Sequence, residues 1–329
     1  MKHVLALAIG SCLWCSSAGA QMVQPCATPG TNNAFLGIKT IRLWPGDAPQ
    51  AKGDKCEDVP TITEIDPQFG MANGSAVVIF PGGGYRSLTS PLESREIADW
   101  FAVRGFKAFV VSYRLASHGY PLPVPLLDAQ RALQTVRAHA SDYHIGPNRI
   151  VAIGFSAGGH LAALAATQVL PGTPGAQDAV ERVSSRPDYL VLGYAWIGAI
   201  SSDTSHLSYC KAFNFMDQCE ALRRAYSPDL FVTKDTPPTF IYHTYNDQTV
   251  PVEQSLRFYD ALLKAGVPAE MHLFASGPHG SGLGRGDPAL DQWPGLLEAW
   301  LRAQGLLTVD TSIVGIPPWE RPRRTDAPK

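Results

Sequence analysis

Charge of either sign is scarce in this 329-residue sequence: 17% of residues are charged, 27 Lys and Arg stand against 29 Asp and Glu, and the formal net charge is -2. Without a basic excess there is no electrostatic footprint for a phosphate backbone, so composition argues against a nucleic-acid partner. Beyond the first twenty residues no apolar run approaches the ~20 residues that a membrane-spanning helix needs. None of the six cysteines has a C-x-x-C or Cys/His spacing that reads as zinc. The glycine cluster at residues 82–84 is not followed by Lys-Ser/Thr, which excludes a phosphate-binding P-loop. Internal repeats are lacking too. What is present is a chain with 45% hydrophobic residues, long enough for one large α/β domain.

The first twenty residues stand apart. Lys2 and His3 precede an apolar core at 4–14, and Ala18-Gly19-Ala20 precedes Gln21. This predicts a secretory signal peptide cleaved after Ala20, and a secreted or periplasmic protein. Cys12 after Ile9-Gly10-Ser11 offers a rival lipid-attachment reading, which the short apolar stretch before it disfavours. Loss of Cys12 and Cys15 leaves Cys26, Cys56, Cys210 and Cys219, an even set that suggests two disulfides. Three pairings exist; the local ones, Cys26 with Cys56 and Cys210 with Cys219, are favoured. Asn73-Gly74-Ser75 is a glycosylation sequon in a eukaryotic secretory pathway.

Residues 21–60, rich in Pro, Gly, Asn and Lys, read as an N-terminal flank with one strand at 38–43. Strands follow at 61–65 and, after the Asn73-Gly74 turn, at 75–80. Helix and strand then alternate: helix 93–104, strand 108–113, helix 126–143, strand 149–153, helix 159–170, strands 189–196 and 239–244, helix 252–265, strand 270–274, helix 289–304. The alternation predicts an α/β fold over residues 61–307. Its mainly parallel, doubly wound sheet would bind ligands at the carboxyl ends of its strands. Residues 200–235 break the pattern and read as an insertion or lid. Residues 308–329, Pro- and Arg-rich, read as a surface strap or disorder.

One pentapeptide organises the rest, Gly154-Phe155-Ser156-Ala157-Gly158, set between strand 149–153 and helix 159–170. A serine on so sharp a strand-to-helix turn must take strained backbone angles, and the two glycines let the helix begin against the strand. Ser156 is expected above the sheet edge, with the helix dipole beneath it and the Ala157 N–H facing the place where an oxyanion would form. Serine at neutral pH needs a base, and the base needs an orienting carboxylate. Asp247, in Tyr245-Asn246-Asp247-Gln248, and His279, in Ser276-Gly277-Pro278-His279-Gly280, each follow a strand end, in the order acid then histidine.

Competing roles are an N-cap for Asp247, an ordinary turn for His279, and an alternative pair, Asp203 with His206, in the insertion. His160 is read as packing or hydrogen-bonding within the first helical turn, and His243 and His272 as core or sheet residues. His118, His139 and His144 carry no partner signal. Pro81-Gly82-Gly83-Gly84-Tyr85 follows another strand end, where glycines let N–H groups face a ligand unobstructed. Gly83, Gly84 and Ala157 are the expected oxyanion donors. Tyr85, Phe155 and Trp196 are expected to contact substrate. This chemistry calls for no metal or cofactor.

Together these segments resemble the α/β-hydrolase superfamily, and within it the BD-FAE or hormone-sensitive-lipase-like esterases, a group that includes acetylxylan esterases and related carbohydrate deacetylases. The resemblance is carried by residues 81–85, Ser112-Tyr113-Arg114-Leu115, residues 125–132 with Asp128, residues 154–161, Tyr226-Ser227-Pro228, residues 235–239, Asp247 with Val250-Pro251-Val252, and Gly277-Pro278-His279-Gly280. It implies an α/β-hydrolase fold and a carboxylic ester hydrolase working through an acyl-enzyme, with Ser156 as nucleophile, His279 as base and Asp247 orienting the imidazole. Lipase-type members carry His-Gly-Gly-Gly where this sequence has Pro81-Gly82-Gly83-Gly84, as sugar-ester members often do. The implied substrate is therefore an acetylated plant polysaccharide or oligosaccharide. A second departure is Asn246, where similar sequences often have an acidic residue. Feruloyl or other aryl esters are the nearest alternative, with Trp196, Phe213 and Phe215 to stack an aromatic acyl group. Further rivals are a serine peptidase, a class that usually adds a large N-terminal β domain, and a hydrolase-fold binding protein, a class that typically loses a triad residue.

Overall fold

The computed structural model describes residues 32–33, 38–68, 70–89, 91–198 and 219–315. Among these, one sheet has the order β1-β2-β3-β5-β4-β6-β7-β8-β9. Its strands are β1 (Asn32–Asn33), β2 (Ile38–Arg42), β3 (Thr61–Ile65), β4 (Ala76–Phe80), β5 (Lys107–Ser112), β6 (Ile150–Phe155), β7 (Tyr189–Gly193), β8 (Thr239–Thr244) and β9 (Ala269–Phe274). The helices are α1 (Arg95–Ala102), α2 (Val124–Ala138), α3 (Ser156–Thr167), α4 (Cys219–Ala225), α5 (Glu253–Lys264), α6 (Trp293–Ala303) and α7 (Thr311–Val314). From β5 across to β9 every pairing is parallel, whereas β1, β2 and β3 join antiparallel.

The central strands β4 and β6 are buried along their whole length, which is why both read as unbroken apolar runs rather than alternating ones. Val77, Ile79, Val151 and Ile153 pack with Ile97 and Phe101 of α1 and with Trp293 and Leu297 of α6. Val78, Phe80 and Ala152 face the other way, toward Leu133 of α2, Leu161 of α3 and Phe258 of α5. The chain leaves β4 for β5 on one side and then crosses to β6 on the other. The crevice between the carboxyl ends of β4 and β6 is thus the topological switch point, where ligands bind in open α/β sheets.

Several expectations shift. Strand β2 belongs to the main sheet, so part of the N-terminal flank is built into the α/β layer rather than lying beside it. Helix α2 stops at Ala138, short of residue 143, because the Ala140 N–H turns to the i−3 carbonyl of Arg137 and His144 takes a left-handed conformation, φ +53°. Strand β7 ends at Gly193, where Tyr194 at φ +36° turns the chain. Within the tail, α7 forms a strap: the Asp310 N–H donates to the Asn73 carbonyl. Asn73 itself is buried and donates to the Arg104 carbonyl, so the folded chain does not present its sequon. Cys56 is disulfide-bonded. The signal segment 1–20, Cys26, Cys210, residues 199–218 of the insertion and residues 316–329 lie outside the described residues, as does the Cys219 side chain. Among the described residues no helix is long and apolar enough to cross a membrane.

Candidate active site

The turn from β6 into α3 takes the strained form its sequence predicts. Ser156 sits at φ +52°, and α3 begins at the serine itself, three residues before the expected start. A Cβ at Gly154 would stand 2.2 Å from the Gly158 carbonyl oxygen, and one at Gly158 would stand 2.0 Å from the Phe80 carbonyl oxygen. Only glycine at both positions lets helix, elbow strand and β4 meet so closely.

The loops after β8 and β9 bring their side chains to this serine. His279 Nδ1–H donates to Asp247 Oδ2 at 2.7 Å, and Nε2 lies 2.9 Å from Ser156 Oγ. The carboxylate therefore selects the tautomer whose Nε2 lone pair faces the serine hydroxyl. Asp247 Oδ1 accepts the N–H groups of Thr249 and Val250, at 2.8 and 2.9 Å. Oδ2 also lies 3.3 Å from Nε2 of the buried His243. Burial alone would raise the Asp247 carboxyl, but the hydrogen bonds from His243, His279, Val250 and Thr249 outweigh it and hold the group well below the usual carboxylate range. His243 is fixed in turn, with Nε2–H donating to the Val250 carbonyl at 3.0 Å and Nδ1 accepting from Ser255 Oγ at 2.7 Å. Asn246 Oδ1 accepts the Gly277 N–H at 3.0 Å, tying the acid loop to the histidine loop.

On the other side of Ser156, Gly83, Gly84 and Tyr85 all take positive φ, at +118°, +64° and +57°. The N–H groups of Gly83, Gly84 and Ala157 have no acceptor among the described residues. They stand at the switch-point crevice beside the N-terminus of α3, an arrangement suited to developing negative charge. Neighbouring Gly82 is different, since its N–H is taken by Glu93.

The expected substrate contacts fare unevenly. Tyr85 is 1% exposed, and its hydroxyl donates to His160 Nδ1 at 2.8 Å. Phe155 is fully buried against Tyr194 and Trp293. Neither ring offers surface to a ligand, so the contact role given to both is corrected: they support the site from behind. Trp196 is half-buried, donates its backbone N–H to the Ser156 carbonyl at 3.2 Å and packs its ring edge-on against His160, ring centroids 4.3 Å apart. His160 is a satisfied core histidine, as its place in the helix suggested, with Nε2–H donating to the Tyr226 carbonyl at 2.7 Å. Burial pushes its pKa down to about 4, so it stays neutral. Asp203, His206, Phe213 and Phe215 lie outside the described residues. Sequence reasoning missed Glu93 and His243. For His243 a signal existed, its i,i+4 spacing from Asp247 across the end of β8.

Two family models match the sequence. One, described as BD-FAE, covers residues 66–177, and the other, the prolyl oligopeptidase family, covers residues 128–302. An acetylxylan esterase of Xylanibacter ruminicola is 32% identical over 237 residues, 70% of this chain and 46% of that protein. The chain spans about half or less of the length of the curated relatives it matches. Among solved structures, an acetyl ester-xyloside bifunctional hydrolase from Caldicellulosiruptor lactoaceticus is 38% identical with a TM-score of 0.74, over 82% of this chain and 97% of that one. A propionate-bound esterase from the Planctomycetes species Thermogutta terrifontis is 27% identical with a TM-score of 0.66, over 83% and 97%. Sheet order, elbow geometry and these matches agree: the chain belongs to the α/β-hydrolase superfamily.

Proposed function

We propose that this chain is an exported serine esterase that removes acetyl groups from decorated plant polysaccharides or their oligosaccharides. The observation that carries the reading is the unbroken hydrogen-bond chain from Asp247 through His279 to Ser156, facing three N–H groups at the switch point. Ser156 Oγ attacks the ester carbonyl as His279 Nε2 takes its proton. The tetrahedral oxyanion rests on the N–H groups of Gly83, Gly84 and Ala157, each contributing about 3 kcal/mol in the transition state. His279 then returns the proton to the leaving sugar oxygen, and water hydrolyses the acetyl-enzyme by the same route in reverse. Asp247 keeps its charge and the imidazole's orientation throughout. Residues 61–307 form the catalytic unit. The sugar assignment draws support from the acetylxylan esterase relative and from Pro81 in the oxyanion loop. Export rests on the N-terminal segment and the disulfide on Cys56.

A second reading, a general short-chain carboxylesterase, is favoured by the structural neighbours that hold propionate and butyrate. Acetate release from acetylated xylan, with p-nitrophenyl acetate alongside, separates the two when wild type is compared with Ser156→Ala. Cleavage of both by wild type and of neither by the variant supports the carbohydrate reading. Cleavage of the small ester alone leaves the mechanism and removes the sugar. Equal activity of the variant overturns both.

A further inference from the structure

Glu93 stands outside the chain of Ser156, His279 and Asp247, yet it touches both loops on which that chain depends. The residue is 1% exposed. Its Oε2 accepts the Gly82 N–H at 2.8 Å, immediately before Gly83. Its Oε1 accepts the Tyr194 hydroxyl at 2.8 Å. The Tyr194 oxygen accepts in turn from the Gly282 N–H at 3.1 Å, three residues past His279. The Tyr194 ring meets the His279 imidazole edge-on, centroids 4.9 Å apart. A continuous hydrogen-bonded path thus runs from the oxyanion loop to the histidine loop, with Glu93 at its centre. The close approach is built into the backbone: a Cβ at Gly82 would lie 2.7 Å from Glu93 Oε2 and 3.0 Å from Ser156 Cβ.

We propose that Glu93 is a positioning residue for the reaction, its ionised carboxylate tying the oxyanion loop to the histidine loop and holding both in register with Ser156. The proposal rests on the serine-esterase reading above. Its partners supply the chemical argument. Gly82 N–H and Tyr194 O–H are both donors aimed at the carboxyl, and an ionised carboxylate, which only accepts, satisfies them together. An amide or a protonated acid turns a donor of its own toward one of them. Charge adds a second effect. The base becomes an imidazolium in the transition state, and Glu93 is a second carboxylate near it, beyond Asp247. The titratable groups around Glu93 are Tyr113, Tyr194, Tyr242 and His279; those around His279 are Glu93, Asp247, Tyr194 and, behind Asp247, His243. Burial pushes the Glu93 carboxyl up against the opposing hydrogen bonds from Tyr194 and Gly82, so it discharges at higher pH than an ordinary glutamate.

The test compares wild type, Glu93→Gln, Glu93→Asp and Tyr194→Phe with p-nitrophenyl acetate. A second reading is affinity for methylboronic acid, which forms a tetrahedral adduct on a serine nucleophile. In Glu93→Gln kcat should fall about tenfold or more, toward the roughly 100-fold loss of a whole oxyanion donor, with KM changed less than about twofold and boronate affinity weakened in step with kcat. Glu93→Asp, which keeps the charge on a shorter arm, should lose part of kcat but retain more of it than Glu93→Gln. Tyr194→Phe, which cuts one arm of the path, should lower kcat in the same direction. Values for Glu93→Gln within about twofold of wild type in both kcat and boronate affinity overturn the proposal. Should that variant not fold, Tyr194→Phe decides on the same two readings. A wild type inert to both ester and boronate sinks the esterase reading first and this proposal with it.

Discussion

His160 gives the fold a measurable acid weakness. Its ring is fully buried, with Nε2–H bound to the Tyr226 carbonyl and Nδ1 to the Tyr85 hydroxyl, and no carboxylate is hydrogen-bonded to either nitrogen. A proton added at Nδ1 would meet the hydroxyl that already donates there. Burial accordingly lowers the folded pKa from 6.5 to about 4. At pH 7 both folded and unfolded chains hold the ring neutral, and it contributes almost no pH dependence. As pH falls through 6.5 the unfolded chain binds a proton that the folded chain refuses, so stability declines, and the decline ends below about 4 where both bind it. At about 1.4 kcal/mol per pH unit, the loss reaches about 3 kcal/mol by pH 4. His160→Gln keeps a neutral side chain with a donor and an acceptor and never titrates. Urea unfolding of both proteins at pH 7, 5.5 and 4.5 isolates the effect. The stability difference, wild type minus variant, should shrink by about 2 kcal/mol from pH 7 to 4.5. A difference that stays flat across that range refutes the account of a desolvated imidazole with no carboxylate beside it.

Gly158→Ala places a methyl group 2.0 Å from the Phe80 carbonyl oxygen, so it should cost at least about 3 kcal/mol in urea unfolding and abolish p-nitrophenyl acetate hydrolysis. Asp247→Asn should lower kcat by roughly 10⁴-fold, since the amide no longer selects the tautomer that faces Ser156; a drop of less than about tenfold would remove Asp247 from the orienting role. The same carboxylate is held well below the usual range, so no titration of Asp247 should appear in wild-type kcat between pH 4 and 8. Asp128→Ala leaves the Arg114 guanidinium, 1% exposed, without its bidentate partner. Thermal or urea unfolding should register a loss of about 3–5 kcal/mol.

The legible parts of this molecule were those written in short-range sequence. The elbow is local, because Gly154, Ser156 and Gly158 force one backbone geometry wherever a strand meets a helix. Asp247 and His279 were legible one level higher, from topology, as polar residues just past the ends of two parallel strands. Tyr85 and Phe155 were misread, because standing next to a reactive residue in sequence does not mean facing the same way. For Phe155 the correction was available: Val151, Ile153 and Phe155 share one face of β6, the face that packs under α1 and α6. Glu93 carried no such sign. A glutamate two residues before α1 reads as an ordinary first-turn acid, and its partners Gly82, Tyr194 and Gly282 are assembled only by the tertiary fold. The start of the flank was underrated because β2 pairs with β3 antiparallel at the outer side of the sheet, a contact that helix–strand alternation does not reveal.

The distance along the chain between the parts of the site has a consequence for when it comes into being. Ser156 and His279 are 123 positions apart, and β8 and β9, which deliver Asp247 and His279, lie on the far edge of the sheet from β1. A nascent or partly refolded molecule with β4, β5 and β6 in place owns its elbow and glycine loop, but no base. Contacts of such long sequence separation form late and slowly. The first turnover is therefore a report on the last step of folding, and the recovery of esterase activity after dilution from urea should lag the recovery of helical signal.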